Sequence, residues 1–257
     1  MRFILILILL PFSIFSQEKD SLKIKVSGFL ETYYAYDFSS PTTDSKLSFM
    51  YNYNRHNEFN VNNGLIRTQL QYGNTYASIA IHAGTYVEDN YASEDIKLVS
   101  EAYVGMYLND NKKSSIEVGI MPSYIGFESA ITATNLTLTR SILAENSPYF
   151  MTGIKYNYKP NDKWSFSGLV TNGWQRINKP DKTVAPALGT QVVYKPSEKA
   201  TLNWSTFIGK EFYGTELAMR YFSNLYWDNT WNSKWRTILG FDFGIQDSSS
   251  LNDKHLY

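Results

Sequence analysis

Histidine occurs three times, at His56, His82 and His255, and cysteine not at all. The histidines stand apart, with no H-E-x-x-H pattern and no paired ligand spacing, so a metal site has no support. The lack of cysteine excludes thiolate zinc sites, a cysteine nucleophile, a disulfide scaffold and a lipid-modified N-terminal cysteine. His82 and Ser78 share one face if their segment is a strand. They are the one pair that could act as base and nucleophile, as a barrel phospholipase would need. That face is otherwise polar and turned away from the apolar side, so two polar lining residues are the simpler reading. The expectation is a protein that is not an enzyme, with no catalytic residue, no metal and no cofactor.

The other chemistry-bearing side chains are single polar groups set among apolar residues. Glu31, Arg67, Gln69, Gln71, Glu101, Glu117, Lys155, Asn203, Arg220, Asn224, Arg236 and Asp242 all have this setting. A second group, Glu128, Arg140 and Glu145, lies within one long connection, 122–149. Neither group has the clustering of an active site. Spread charge of both signs is what a polar wall would need.

The elements that position them alternate with a period of two. Leu22, Ile24, Val26, Leu30, Tyr34, Tyr36 and Phe38 fall on one face, opposite Lys23, Lys25, Ser27, Glu31 and Asp37. Trp235, Thr237, Leu239, Phe241, Phe243 and Ile245 likewise oppose Arg236, Gly240, Asp242, Gly244 and Gln246. Further strands are expected near 59–72, 76–86, 97–108, 115–121, 150–158, 164–174, 187–194, 200–208 and 217–227. That makes about eleven. The 59–72 segment changes phase around Asn63-Gly64, which predicts a bulge. Two Lys-Pro turns, at Lys159-Pro160 and Lys195-Pro196, are 36 residues apart, so the repeating unit is an up-down strand pair.

The connections alternate in length. Short ones fall at 73–74, 109–113, 159–163, 195–199 and 228–234, and long ones at 39–58, 87–96, 122–149, 175–186, 209–216 and from 247. A soluble sandwich has no reason for this, whereas an outer-membrane barrel has short periplasmic turns and long outer loops. Within 122–149, residues 136–144 could form a helical turn or two with Asn135 as N-cap. This loop either folds inward as a constriction, with Glu128, Arg140 and Glu145 forming an electrostatic filter, or packs outside with Arg140 paired to Glu128 or Glu145.

The start of the chain supports export. Arg2 precedes an apolar run from Phe3, and cleavage is placed after Ser16, making 1–16 a secretory signal. The run is too short for a spanning helix, and no later segment has ~18 uninterrupted apolar residues. The chain has 257 residues, with 24 Lys+Arg against 24 Asp+Glu, so a whole-chain electrostatic case for nucleic acid is absent. Aromatic residues make up 16% although mean hydropathy is only −0.32. That balance suits strands with one aromatic, apolar face and one polar face. Trp164, Trp174, Trp204, Trp227 and Trp235 lie at or near strand ends, where interfacial girdles form.

Several ordered motifs carry a resemblance. Residues 119–131 read GIMPSYIGFESAI, 135–149 NLTLTRSILAENSPY, 153–167 GIKYNYKPNDKWSFS and 172–177 NGWQRI, with AGTYVE at 83–88 and EAYVG at 101–105. Over roughly 24–246 the chain resembles the OmpL-like β-barrel porin family of Bacteroidetes. The resemblance implies an outer-membrane barrel acting as a porin.

The expectation is therefore all-β: a transmembrane antiparallel up-and-down β-barrel of outer-membrane type occupying residues 17–257. About eleven strands are present, and the barrel is expected to be incomplete because residues 254–257 read as a strand just beginning. Glu31, Arg67, Gln69, Glu101, Glu117, Lys155, Arg220, Arg236 and Asp242 are the candidate pore-lining residues. The expected function is passive diffusion of small polar solutes in the outer membrane of a Gram-negative bacterium, with a plugged binding or adhesion barrel as the alternative. Expected partners are outer-membrane lipids and lipopolysaccharide, the barrel-assembly machinery, small polar solutes and a homo-oligomeric partner, with no nucleic acid.

Overall fold

The computed structural model describes residues 21–39, 41, 49–179, 181–213, 216–247 and 254–256. The expected export signal, 1–16, lies outside the described residues. Among them, one sheet of 12 antiparallel strands runs in strict sequence order. The strands are β1 (Lys23–Tyr34), β2 (Phe59–Tyr72), β3 (Thr75–Ala83), β4 (Val99–Tyr107), β5 (Ser114–Pro122) and β6 (Phe150–Tyr158), then β7 (Trp164–Thr171), β8 (Ala187–Ser197), β9 (Ala200–Tyr213), β10 (Glu216–Thr230), β11 (Arg236–Asp247) and β12 (Lys254–Leu256). Two short helices, α1 (Thr85–Asn90) and α2 (Ile142–Glu145), sit in connections. The described residues form no ladder joining β12 back to β1, so the barrel sheet is not closed among them.

The two-residue period sorts the side chains. Along β9, Leu202, Trp204 and Ile208 are exposed while Asn203, Ser205 and Phe207 between them are buried. Along β11, Leu239, Phe241 and Phe243 are exposed on the face opposite Asp242 and Gln246. The pattern recurs from Ile24, Val26 and Leu30 on β1 through Ile79 and Ile81 on β3 to Val104 and Met106 on β4. An apolar belt on the outer face with polar side chains behind it reverses the arrangement of a water-soluble protein. No helix among the described residues is long and apolar enough to cross a membrane.

The expected bulge is present. Glu31 pairs with Asn63 while Thr32 pairs with Val61, leaving Asn62 as the extra residue. Both Asn62 and Asn63 are consequently buried. A second irregularity falls where Ala80 pairs with Glu101 and Ile81 with Val99.

Four expectations need correction. The segment 209–216 is not a long loop: β9 runs to Tyr213 and β10 starts at Glu216, which pair directly. The alternation simply continues there, with buried Glu211 and exposed Phe212 on opposite faces, so the rule of long odd connections breaks at this position. Strand three ends at Ala83, and 85–90 turns into α1. Asn135 does not cap a helix. Ser141 caps α2, its side chain accepting from the Ala144 amide, and Asn135 ends the 3₁₀ turn Thr132–Thr134. Trp174 is not a girdle residue either. It packs inward on Phe207 and Phe222, at ring centroid distances of 5.0 and 4.8 Å.

The two faces should differ in tolerance to charge. Leu239→Arg places a guanidinium in the outer belt and should destabilise the fold by roughly 2–4 kcal/mol if it lies near mid-membrane. Ile238→Arg points inward near Asp228, its cross-strand partner, and should fold close to normally. Refolding yield by gel mobility with and without boiling reads the difference, and equal yields would invert the assignment of faces.

Candidate functional site

The nine polar residues expected to line a pore all sit on the inner face, and most are paired. On β1, Glu31 accepts from Asn62 Nδ2 at 2.6 Å and also bonds the hydroxyls of Tyr53 and Thr132. Arg67 on β2 grips Glu101 on β4 through Nε, 3.1 Å from each carboxylate oxygen, and through Nη2. Gln69 is exposed on the same face, opposite Lys25 and Ser78. Glu117 on β5 lies 3.8 Å from the Lys155 ammonium on β6 and accepts from Tyr76 Oη at 2.8 Å. On the far wall Arg220 donates twice to Gln246, at 3.0 and 2.7 Å, and lies over the Trp174 ring. Arg236 pairs with Asp228 through two bonds, and Asp242 accepts from Asn224. Opposite charges pair between adjacent strands at Lys155–Glu117 and Arg236–Asp228 and across β3 at Arg67–Glu101, whereas Glu31, Arg220 and Asp242 are held by neutral partners.

Ser78 and His82 do not meet. Ser78 Oγ donates to Glu101 at 3.0 Å, and His82 Nε2 is bonded to the Lys97 carbonyl. No nucleophile–base contact results.

The connection 122–149 lies against the inner face. The Tyr124 carbonyl accepts from Gln191 Nε2 on β8 and Ser205 Oγ on β9, both at 2.9 Å. Tyr124 Oη donates to the Thr206 carbonyl at 2.7 Å. The Gly126 amide donates to Asn224 on β10, and the Phe127 ring meets Tyr226 edge-on at 5.5 Å. Thr132 reaches β1 through Glu31. Tyr124 and Ile125 form a buried cluster with Met151, Leu169, Ala187, Phe207 and Phe222. Close approach is possible because the wall has glycines there: a Cβ on Gly189 would lie 2.0 Å from Tyr124 Oη, and one on Gly240 would lie 2.7 Å from Phe127.

Within this loop Glu128, Arg140 and Glu145 do not form one cluster. Glu128 accepts from the Ser141 amide and hydroxyl at 2.7 and 2.8 Å. Glu145 accepts from Tyr149 Oη at 2.9 Å, and its burial raises its pKa above the ordinary value of 4.5 despite the nearby Arg140 charge. Arg140 is buried, bonded to Ser147 Oγ and the Ala144 carbonyl, with its guanidinium 3.7 Å from the Tyr149 ring centre. Neighbouring loops lock onto the same region: the Tyr149 amide donates to Gln175, which donates to Asn90, and buried Glu94 accepts from the Ile177 amide. Sequence reasoning missed Tyr124, Glu94 and Glu211. Nothing in their local spacing marks them, since their partners lie on distant strands and loops. Asn62 and Asn63 were signalled by the phase change alone.

A strictly sequential antiparallel sheet with an apolar outer face and a polar inner face defines an outer-membrane β-barrel. Residues 23–256 match the family described as "Putative beta-barrel porin-2, OmpL-like". The chain belongs to this family of OmpL-like β-barrel porins, with its porin-like transport role and outer-membrane location. No curated protein matches the chain.

Two changes test how the loop is held. Gly189→Ala should push Tyr124 off its seat and cost about 1–3 kcal/mol as an overpacked contact. Tyr124→Phe should cost only about 1 kcal/mol, the worth of one hydrogen bond. Limited proteolysis within 122–149 should rise more for Gly189→Ala than for Tyr124→Phe.

Glu145 sets the pH response. A carboxyl with a raised folded pKa binds its proton more tightly when folded. Its contribution is fully present below the unfolded value and is lost as pH rises through the folded one. Protease cutting near Glu145 should therefore increase from pH 4.5 upward, and Glu145→Gln should flatten the curve. An unchanged curve would assign the response elsewhere.

Proposed function

We propose that the chain forms a non-enzymatic outer-membrane channel through which small polar solutes diffuse passively. One observation carries this reading: hydrogen-bonded polar side chains run along the inner face from Glu31 on β1 to Asp242 on β11, with ion pairs at Arg67–Glu101 and Lys155–Glu117, behind an apolar outer belt. A solute crossing such a wall exchanges water for hydroxyl, amide and charged partners without a net field that would reject one sign. Glu31, Arg67, Gln69, Glu101, Glu117, Lys155, Arg220, Arg236 and Asp242 line the path, and the 122–149 loop with Glu128, Arg140 and Glu145 narrows it. No cofactor enters this mechanism. Residues 1–16 serve as the export signal. Lipopolysaccharide and outer-membrane lipids surround the belt, the barrel-assembly machinery inserts it, and a homo-oligomer is compatible with the apolar exterior.

A second reading, a binding barrel with a plugged interior, is favoured by the anchoring of Tyr124 and Gly126 on the inner wall. Planar-bilayer recording of the reconstituted protein separates the two. Discrete steps with weak cation–anion preference are expected. Repeated insertions without conductance would replace the channel with the binding barrel.

A further inference from the structure

The bulge on β2 turns two adjacent asparagines inward, and their fates differ. Asn62 is fully engaged: its carbonyl oxygen accepts from the Tyr53 amide at 2.9 Å, and its Nδ2 donates to Glu31 and to Asn52 at 2.6 and 3.0 Å. Asn63 has no exposed surface, and neither its Oδ1 nor its Nδ2 has a hydrogen-bond partner among the described residues. Buried carboxamides are normally bonded, so an unpartnered one calls for an explanation. Asn63 lines a cavity of about 260 Å³ between the β2–β4 wall and the 122–149 loop. That is room for more than a single bridging water.

The rest of the lining narrows the chemistry. Arg67 and Glu101 face the cavity but are committed to each other through the paired bonds described above. Glu128, also in the lining, is held by Ser141. A simple anion therefore finds no uncommitted guanidinium at this position. Phe127 and Tyr226 contribute apolar ring surface from the opposite side. A carboxamide that can both donate and accept, next to aromatic surface and self-neutralised charge, matches a ring with hydroxyls on its rim and C–H groups on its faces.

We propose that this cavity is a binding subsite for one ring of a neutral polyhydroxylated solute, with the unpartnered Asn63 carboxamide turning into the cavity to bond adjacent hydroxyls and Phe127 and Tyr226 covering a ring face. It deepens the channel reading by naming the solute class, and rests on solutes reaching the inner face.

The test is titration calorimetry of the full chain refolded in detergent micelles, with D-glucose, D-galactose and myo-inositol as neutral rings and choline and acetate as ionic probes. At least one neutral ring should bind saturably, and the ions should not. Asn63→Leu should weaken that binding by about tenfold or more, equivalent to about 1.4 kcal/mol. Ser129→Trp alters an exposed loop residue that lines the cavity. It changes no wall residue, should occupy part of the space and should abolish binding even if the Asn63 variant fails to fold. No saturable binding of any ring, equal binding of choline or acetate, or a Ser129→Trp protein with unchanged affinity would each overturn the proposal. Bilayer recording on the same preparation keeps the two readings apart. Conductance without ring binding removes the subsite alone, and ring binding without conductance removes the channel alone.

Discussion

Every backbone amide and carbonyl that faces hydrocarbon must find its partner within the protein, because lipid offers none. Between its edge strands β1 and β12 the sheet meets this demand by pairing each strand with its sequence neighbours, with register continuous over long stretches such as Arg220–Thr230 against Arg236–Gln246. Once the ladder is fixed, the two-residue period fixes everything outward and inward. Leu239 and Phe241 must face lipid because Asp242 and Gln246 must not. Single-strand departures are confined to a few sites, and the clearest, at Asn62, turns two adjacent asparagines to the inner face.

The inner face then poses the opposite problem. Polar side chains driven inward by the period are deep enough to lose water, and each needs a partner. Asn203 and Ser205 have no exposed surface, and Asn224 has almost none. The wall satisfies some of this demand itself, through Asn203 to Ser205 at 3.0 Å and Gln191 to Asn203 at 2.8 Å. The remainder comes from the loop: the Tyr124 carbonyl takes two donors, and the Gly126 amide supplies one. Loop and wall are complementary in hydrogen bonding as well as in shape, so the position of 122–149 follows from the composition of β8 to β10.

Strand positions, the facing of each charged residue and the β2 bulge were legible in the sequence because each depends on period-two spacing within a dozen residues. Loop structure was legible only where capping chemistry is local, and even there Ser141 rather than Asn135 starts the helix. Strand extents failed at 209–216 because Gly209 and Lys210 look like a turn in isolation, while pairing with Arg220 and Met219 carries the strand onward. The contacts that define the interior were not legible. Tyr124 meets Thr206 across 82 residues and Thr132 meets Glu31 across 101, and such separations leave no local signature.

The placement of Arg140 shows what this packing does to charge. Its guanidinium lies flat on Tyr149 and bonds Ser147 Oγ, with Glu128 and Glu145 each occupied by another partner. Cation–π contact and backbone carbonyls are ways to hold a buried guanidinium without an ion pair. They tie residues 140–149 into one clasp at the end of the loop. The Arg140 charge is left without an ion pair, whereas the wall residues Arg67 and Lys155 are paired with Glu101 and Glu117. Rigidity of the loop and satisfaction of the wall therefore have the same origin: buried polar and charged groups are held by partners close at hand, by ion pairs where an opposite charge is near and by hydroxyl, amide and ring contacts where it is not.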